Sequence, residues 1–184
     1  MGPLFRLSLA CAAIFAILKI ILFQTGKHES LYMLVVFGNI LLMLVSMAGG
    51  LFQLRKQQKK ASTYADDVKT TMKSAALYVL FASSFAYLYY TKIDPQSVQE
   101  RIQVRVTQAE AQDFEELKKA HPDQLKSKTR HDFIEDERKF AAMIFSPFFM
   151  STVMMISGLL LGFFYSLLIA WFWRRFIDKA SVFE

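Results

Sequence analysis

At 184 residues the chain has the length of one domain, yet hydrophobic residues make up 54% of it and Phe alone occurs 18 times. These residues come in long blocks with the charges between them, which excludes a soluble core built on helical or strand period. The net charge of +6 sits mostly in one loop and so follows membrane topology rather than nucleic-acid binding, while a single cysteine, Cys11, excludes a disulfide framework or a cysteine metal site.

The first apolar run, Leu4 to Phe23, carries Arg6 near its start and Lys19 near its end. It meets the polar turn Gln24-Thr25-Gly26-Lys27 without a small-x-small cleavage site, so a retained helix is expected rather than a signal peptide. The connection from Gln24 to Ser30 suits antiparallel neighbours, and the second run, Leu31 to Leu54, completes a helical hairpin. Asn39 is its one strongly polar side chain, for which an interhelical hydrogen bond is expected.

Arg55, Lys56, Lys59 and Lys60 then open a polar segment, 55–74, that also holds Lys69, Lys73, Asp66 and Asp67. The positive-inside rule makes this loop cytoplasmic. Its four leading cations, with Arg174 and Arg175 near the other end of the chain, are assigned to membrane orientation and anionic lipid head groups. The third run, Ala75 to Thr91, is the least apolar. Tyr87, Tyr89 and Tyr90 at its outer end, and Trp171 and Trp173 at the inner end of the last run, read as interfacial aromatic belts.

Asp94-Pro95 is a helix-start signal, an N-cap aspartate with proline at the first helical position. Val98, Ile102, Val106, Ala109 and Leu117 follow at helical spacing, predicting an amphipathic helix of about 24 residues that ends at His121-Pro122-Asp123. A second stretch, Gln124 to Ala142, has Leu125, Phe133, Ile134 and Phe140 on a partly apolar face. Lys92 to Lys139 holds ten Lys or Arg and eleven Asp or Glu. This nearly neutral helical hairpin is expected outside the cytoplasmic membrane. Val98, Ile102, Val106, Leu117, Phe133 and Ile134 are its partner-docking residues if no internal packing covers them.

Ile144 to Trp173 is an uncharged run of about 30 residues, against the roughly 20 a helix needs to cross a bilayer. Gly158, Gly162, Ser166 and Ala170 recur every four residues along it and predict a helix-packing stripe, since small residues let membrane helices approach closely. This run is therefore expected to be the seam of the bundle. Four spans with both termini cytoplasmic satisfy the charge pattern throughout.

No P-loop, nucleotide Gly fingerprint, His-Glu-x-x-His motif or nucleophile elbow occurs. His131, Asp132, Glu135 and Asp136 form the best metal constellation, but Arg130, Arg138 and Lys139 surround them, as on a solvated helix face. No metal or cofactor is expected, and no catalytic residue is assigned. Arg6 and Lys19 lie near span ends, so no charge is stranded at mid-membrane as in a transporter.

The order of these features resembles domain of unknown function 4199, a family of small bacterial membrane proteins: a two-span hairpin, a basic loop, and a third span ending in Tyr residues and Ile93-Asp94-Pro95. A charged helical insert follows, then Phe145-Ser146-Pro147 and a last span with Gly162-Phe163-Phe164-Tyr165-Ser166-Leu167-Leu168-Ile169-Ala170. Ser62-Thr63-Tyr64 departs from the pattern, which has Gly and Arg-Lys turns in that loop. The resemblance implies no activity and no catalytic residues. It does imply membrane glycosyltransferases as neighbours, hence as partners.

The expected fold is an all-α integral membrane protein with four transmembrane helices and an extramembrane helical hairpin between the third and fourth. Its parts are 1–93, 94–143 and 144–184. The expected role is a non-catalytic accessory or scaffold subunit in a bacterial inner membrane, docking through a periplasmic 94–142 segment onto other membrane subunits. The alternatives are a small transporter or homo-oligomeric channel, with Asn39 at its entry path, and a part in lipid-linked glycan synthesis.

Overall fold

The structure is a computed structural model and describes residues 2–26, 31–57, 62–120, 125 and 127–177. Among these residues there are seven α-helices and no strand. They are α1 (Pro3–Gln24), α2 (Tyr32–Gln57), α3 (Tyr64–Leu88), α4 (Pro95–Glu110), α5 (Phe114–Ala120), α6 (Arg130–Ile144) and α7 (Pro147–Phe172). Wider π turns, Tyr89–Ile93 and Trp173–Ile177, continue α3 and α7. The chain divides into two compact units, Met1–Phe85 with Met154–Glu184, and Ala86–Val153.

In the first unit, α1 starts with Pro3 in its first turn, where a missing N–H costs nothing, and ends at Gly26. The φ of 67° there is the left-handed conformation that stops a helix. Three helices are long and apolar enough to cross a membrane: Leu4–Gln24, Tyr32–Lys56 and Pro147–Ile177. Their outward faces are lined with large apolar side chains, among them Ile17, Phe37, Leu41, Leu160 and Phe164. A water-facing helix would put polar groups there.

The core joins Cys11, Ala12 and Phe15 of α1, Met43 and Met47 of α2, and Ala75, Tyr78, Val79 and Ala82 of α3. Met155, Leu159 and Tyr165 of α7 pack against it only partly buried. The helix on which the others close is therefore α3, and the seam expected of α7 is corrected. Helix α3 is also longer than its apolar run. It begins at Tyr64, so residues 64–74 of the polar segment 55–74 form its first three turns instead of a loop. The physical reason is a reciprocal cap. The Thr63 N–H and Oγ1 both donate to Asp66 Oδ2 (3.1 and 2.7 Å), while the Asp66 N–H donates to Thr63 Oγ1 (3.2 Å). Asp66 and Asp67 also place negative charge at the positive end of the helix dipole.

In the second unit, Asp94 starts α4 as its sequence predicts. Its Oδ1 accepts the Ser97 N–H at 3.2 Å, its Oδ2 accepts the Tyr89 hydroxyl at 3.1 Å, and both residues are buried. Helix α4 packs along α6. The predicted 24-residue helix is instead two, because Ala111-Gln112-Asp113 interrupts it. The Asp113 carboxylate accepts the N–H groups of Glu115 (2.9 Å) and Glu116 (3.3 Å), capping α5. His121-Pro122-Asp123 lies outside the described residues. Helix α6 starts at Arg130, later than expected, where Thr129 and Asp132 form a capping box.

Asp94 therefore has a measurable role. Asp94→Ala removes a cap worth about 1 kcal/mol and leaves the buried Tyr89 hydroxyl without its acceptor, at about 1–3 kcal/mol more. Hydrogen exchange should speed up across Pro95–Glu110 while α1 amides stay unchanged. Asp94→Asn, which preserves a cap acceptor, should recover most of the protection.

Candidate functional site

The predicted packing stripe of α7 lies against α3. A Cβ on Gly158 would stand 2.9 Å from Val79 Cγ2, and one on Gly162 would stand 2.8 Å from the Ala75 Cβ. One turn further, Ser166 is fully buried and returns its hydroxyl to the Gly162 carbonyl at 2.7 Å, beside the Met72 sulfur at 4.0 Å. Ala170 is fully buried as well. Met72, Ala75 and Val79 recur at three- and four-residue spacing, so two matched stripes meet with no room for added carbon. At the start of α3, the Tyr64 hydroxyl donates to the Leu167 carbonyl of α7 at 3.1 Å.

The neighbouring face of α3 carries polar groups and meets α1 and α2. Tyr78, 1% exposed, donates to Asn39 Oδ1 at 2.6 Å, with the Asn39 carbonyl oxygen 3.1 Å away. Asn39 is thus held by a neighbouring helix. Ser8 and Ser46 share a hydrogen bond of 2.9 Å, and Ser8 Oγ also lies 3.2 Å from the Ser74 carbonyl. Gly50 fits this junction because a Cβ on it would collide with the Ser74 hydroxyl and with Leu4. Tyr78→Phe should lower stability in detergent by about 1 kcal/mol, the scale of one interhelical hydrogen bond. Combined with Asn39→Leu, its cost should be less than the sum of the two single changes, as thermal melts would show.

At the first turn of α3 is the densest polar site of the unit. Asp67 is fully buried, and Arg55 grips it with two guanidinium nitrogens, Nε to Oδ1 at 3.0 Å and Nη2 to Oδ2 at 2.6 Å. Arg174 adds Nε to Oδ2 at 2.7 Å and donates through Nη2 to the Ser62 carbonyl. The Ser62 hydroxyl donates to Oδ1 at 2.7 Å. Burial pushes the Asp67 carboxyl up, but the donors Arg55, Ser62 and Arg174 more than offset it and hold it below the usual carboxylate range. One carboxylate thus clasps the ends of α2, α3 and α7.

Arg55 and Arg174 were expected at lipid head groups, but the structure turns both onto Asp67. Lys56 and Arg175 remain exposed. Lys59 and Lys60 lie outside the described residues. The reading of 55–74 as a charge tally missed Asp67, although one signal was available. An acid stands beside a Thr helix start, shortly after Arg55, which ends an apolar run. Ser62 holds part of this site through both its hydroxyl and its carbonyl.

In the second unit, the docking residues of the sequence reading part company. Val106 is fully buried and Val98 nearly so, while Ile102, Leu117, Phe133 and Ile134 are half-buried. The ring of Phe133 packs on Phe114 with centroids 5.8 Å apart. The assignment of Val98 and Val106 to a docking surface is corrected, because α4 folds against α6 and the apolar stripe closes internally. Arg105 Nε to Glu137 Oε2, at 3.0 Å, ties α4 and α6 together, and Arg130 donates to the Glu110 carbonyl at 2.8 Å. Val104, Phe140 and Met143 are among the large apolar side chains exposed in this unit.

The carboxylates near His131 are engaged. Asp132 is in the capping box, Glu135 pairs with Lys139 at 2.8 Å, and Asp136 pairs with Lys128 at 2.7 Å. The Thr129 backbone N–H and hydroxyl hold the Asp132 carboxyl below its usual value. Among the described residues no three His, Cys, Asp or Glu side chains are grouped to hold a metal ion.

In comparison with known proteins, residues 6–175 match the family model described as Protein of unknown function (DUF4199). No curated protein and no solved structure matches the chain.

Proposed function

The chain belongs to this family of proteins of unknown function, DUF4199, and from that premise we propose that it is a non-catalytic accessory or scaffold subunit of a multi-pass complex in a bacterial inner membrane. The observation that carries this reading is where the buried polar groups are used. Asp67 binds Arg55 and Arg174, Asn39 binds Tyr78, and Ser8 binds Ser46. Each such group joins one helix to another, as in an assembly element. Helix α3 meets α7 at Met72, Ala75 and Val79, and it meets α1 and α2 at Ser74 and Tyr78. Its 25 residues rise about 37 Å at ~1.5 Å each, against a hydrocarbon core of about 30 Å. Its polar face is buried against the other helices, which supports α3 as a fourth span despite its lower hydropathy.

On this reading both termini are cytoplasmic and 94–142 is periplasmic. The Ala86–Val153 unit has its own core, so it presents a preformed face to other membrane subunits, with Val104, Phe140 and Met143 as its apolar points. The test is extraction in mild detergent with mass analysis of what remains bound, including any membrane glycosyltransferase. A stoichiometric companion lost on Val104→Glu, with the helical fold retained, would support the docking role. A clean homo-oligomer without a companion would end it.

A further inference from the structure

Arg55 and Arg174 are turned onto Asp67 and are taken up within the first unit. Two exposed lysines of α3 stand apart from that clasp. Lys69 and Lys73 are four residues apart, so they project from one helix face on successive turns. Leu80, seven residues beyond Lys73 on the same face, is 50% exposed. The buried stripes point elsewhere, with Ala75 and Val79 toward α7 and Ser74 and Tyr78 toward α1 and α2. The exposed strip therefore runs from Asp66 through the two lysines and turns aliphatic about 10 Å beyond Lys73, two turns at ~5.4 Å each. Asp66, which feels the charge of Lys69, already accepts the hydroxyl and N–H of Thr63.

We propose that Lys69 and Lys73 form a head-group site for an anionic phospholipid, with one acyl chain lying along α3 toward Leu80. Two ammonium groups outweigh the single Asp66 carboxylate on this face and so favour a phosphodiester that carries a net negative charge, and the aliphatic continuation fits a lipid tail better than a free phosphate. A nucleic acid would have no use for that continuation. The proposal rests on the reading of α3 as a span, and it adds a ligand class and two residues to that reading.

The test uses the full chain in nanodiscs of mixed phosphatidylcholine and phosphatidylglycerol, released in mild detergent, with retained lipids counted by native mass spectrometry. The wild type should retain phosphatidylglycerol in excess of its share of the bilayer. Lys69→Gln with Lys73→Gln should cut that excess by about twenty-five-fold, from about fivefold for each basic residue. Lys56→Gln with Arg175→Gln should leave most of it. Thermal melts confirm that each variant folds. Enrichment that survives in the Lys69/Lys73 variant, or its absence in the wild type, overturns the site. Inorganic phosphate displacing the bound lipid would also overturn it, by showing a bare anion site. The premise is checked separately. In a Cys11→Ala background, Leu80→Cys should resist a water-soluble maleimide, and its ready labelling would remove the span whatever the lipid result.

Discussion

Asp67→Asn should be among the most damaging single substitutions in the chain, lowering stability by about 3 kcal/mol. Breaking a buried ion pair by removing one partner typically costs about 3–5 kcal/mol, because the remaining charge loses its compensation. Here the substitution leaves two guanidinium groups facing one another at the ends of α2 and α7. The lower end of that range applies because the Arg55 and Arg174 side chains keep 20% and 32% of their surface exposed and can turn outward. Replacing all three, with Asp67→Leu, Arg55→Met and Arg174→Met, removes the charge together with its partners and should recover much of the loss. Thermal unfolding in one detergent orders these variants. If the triple variant is no better than Asp67→Asn alone, the cost lies in the shape of the site rather than in stranded charge.

The same carboxylate sets an acid limit. Its folded value lies below the ordinary one of about 3.9. A depressed acid stabilises the fold above its unfolded pKa, and that contribution is lost as pH falls through the folded value. The wild-type melting temperature should therefore decline as pH drops below about 4. Asp67→Asn, already without the contribution, should show a shallower acid limb. Asp66 and Asp132 are shifted in the same direction by their Thr caps, so some decline persists in the variant.

The sequence and the structure part at definable places. Long apolar runs identify α1, α2 and α7 because a helix facing lipid must be apolar on most of its surface. Helix α3 was legible in little more than its outer half. Its partners are other helices, so Asp67, Thr71, Ser74 and Tyr78 can face inward, and hydropathy averaged over the whole circumference understates it. The Gly158–Ala170 stripe could be read by spacing, whereas its counterpart, Met72, Ala75 and Val79, has no periodicity that marks it in a mixed sequence. The clasp was the hardest to see. It brings residues 55, 62, 67 and 174 together, and only the antiparallel return of α7 places the last beside the others. In the Ala86–Val153 unit the Asp94 cap was legible because it is local. Burial of Val98 and Val106 depended on α6, whose start is set by Thr129 and not by the apolar pattern.

The matched stripes of α3 and α7 allow a sharper experiment than deletion. Gly162→Ala introduces a carbon 2.8 Å from the Ala75 Cβ, and neither atom can rotate away because both are fixed to helix backbone. The helices must separate locally, forfeiting dispersion contacts along the stripe, at a cost of about 1–3 kcal/mol. Gly162→Leu should exceed that and hinder assembly of the bundle. Moving the carbon across the interface tests the cause. Ala75→Gly alone should cost about 1 kcal/mol through helix propensity, yet Gly162→Ala with Ala75→Gly should be more stable than Gly162→Ala by itself. A crowded contact predicts such compensation, because one β-carbon still occupies the space built for one. Purely additive losses would mean that Gly162 matters for its backbone alone and that the two stripes are not in register. If the swap recovers stability, and any partner stays bound throughout, the stripe holds the subunit together and docking takes place elsewhere on its surface.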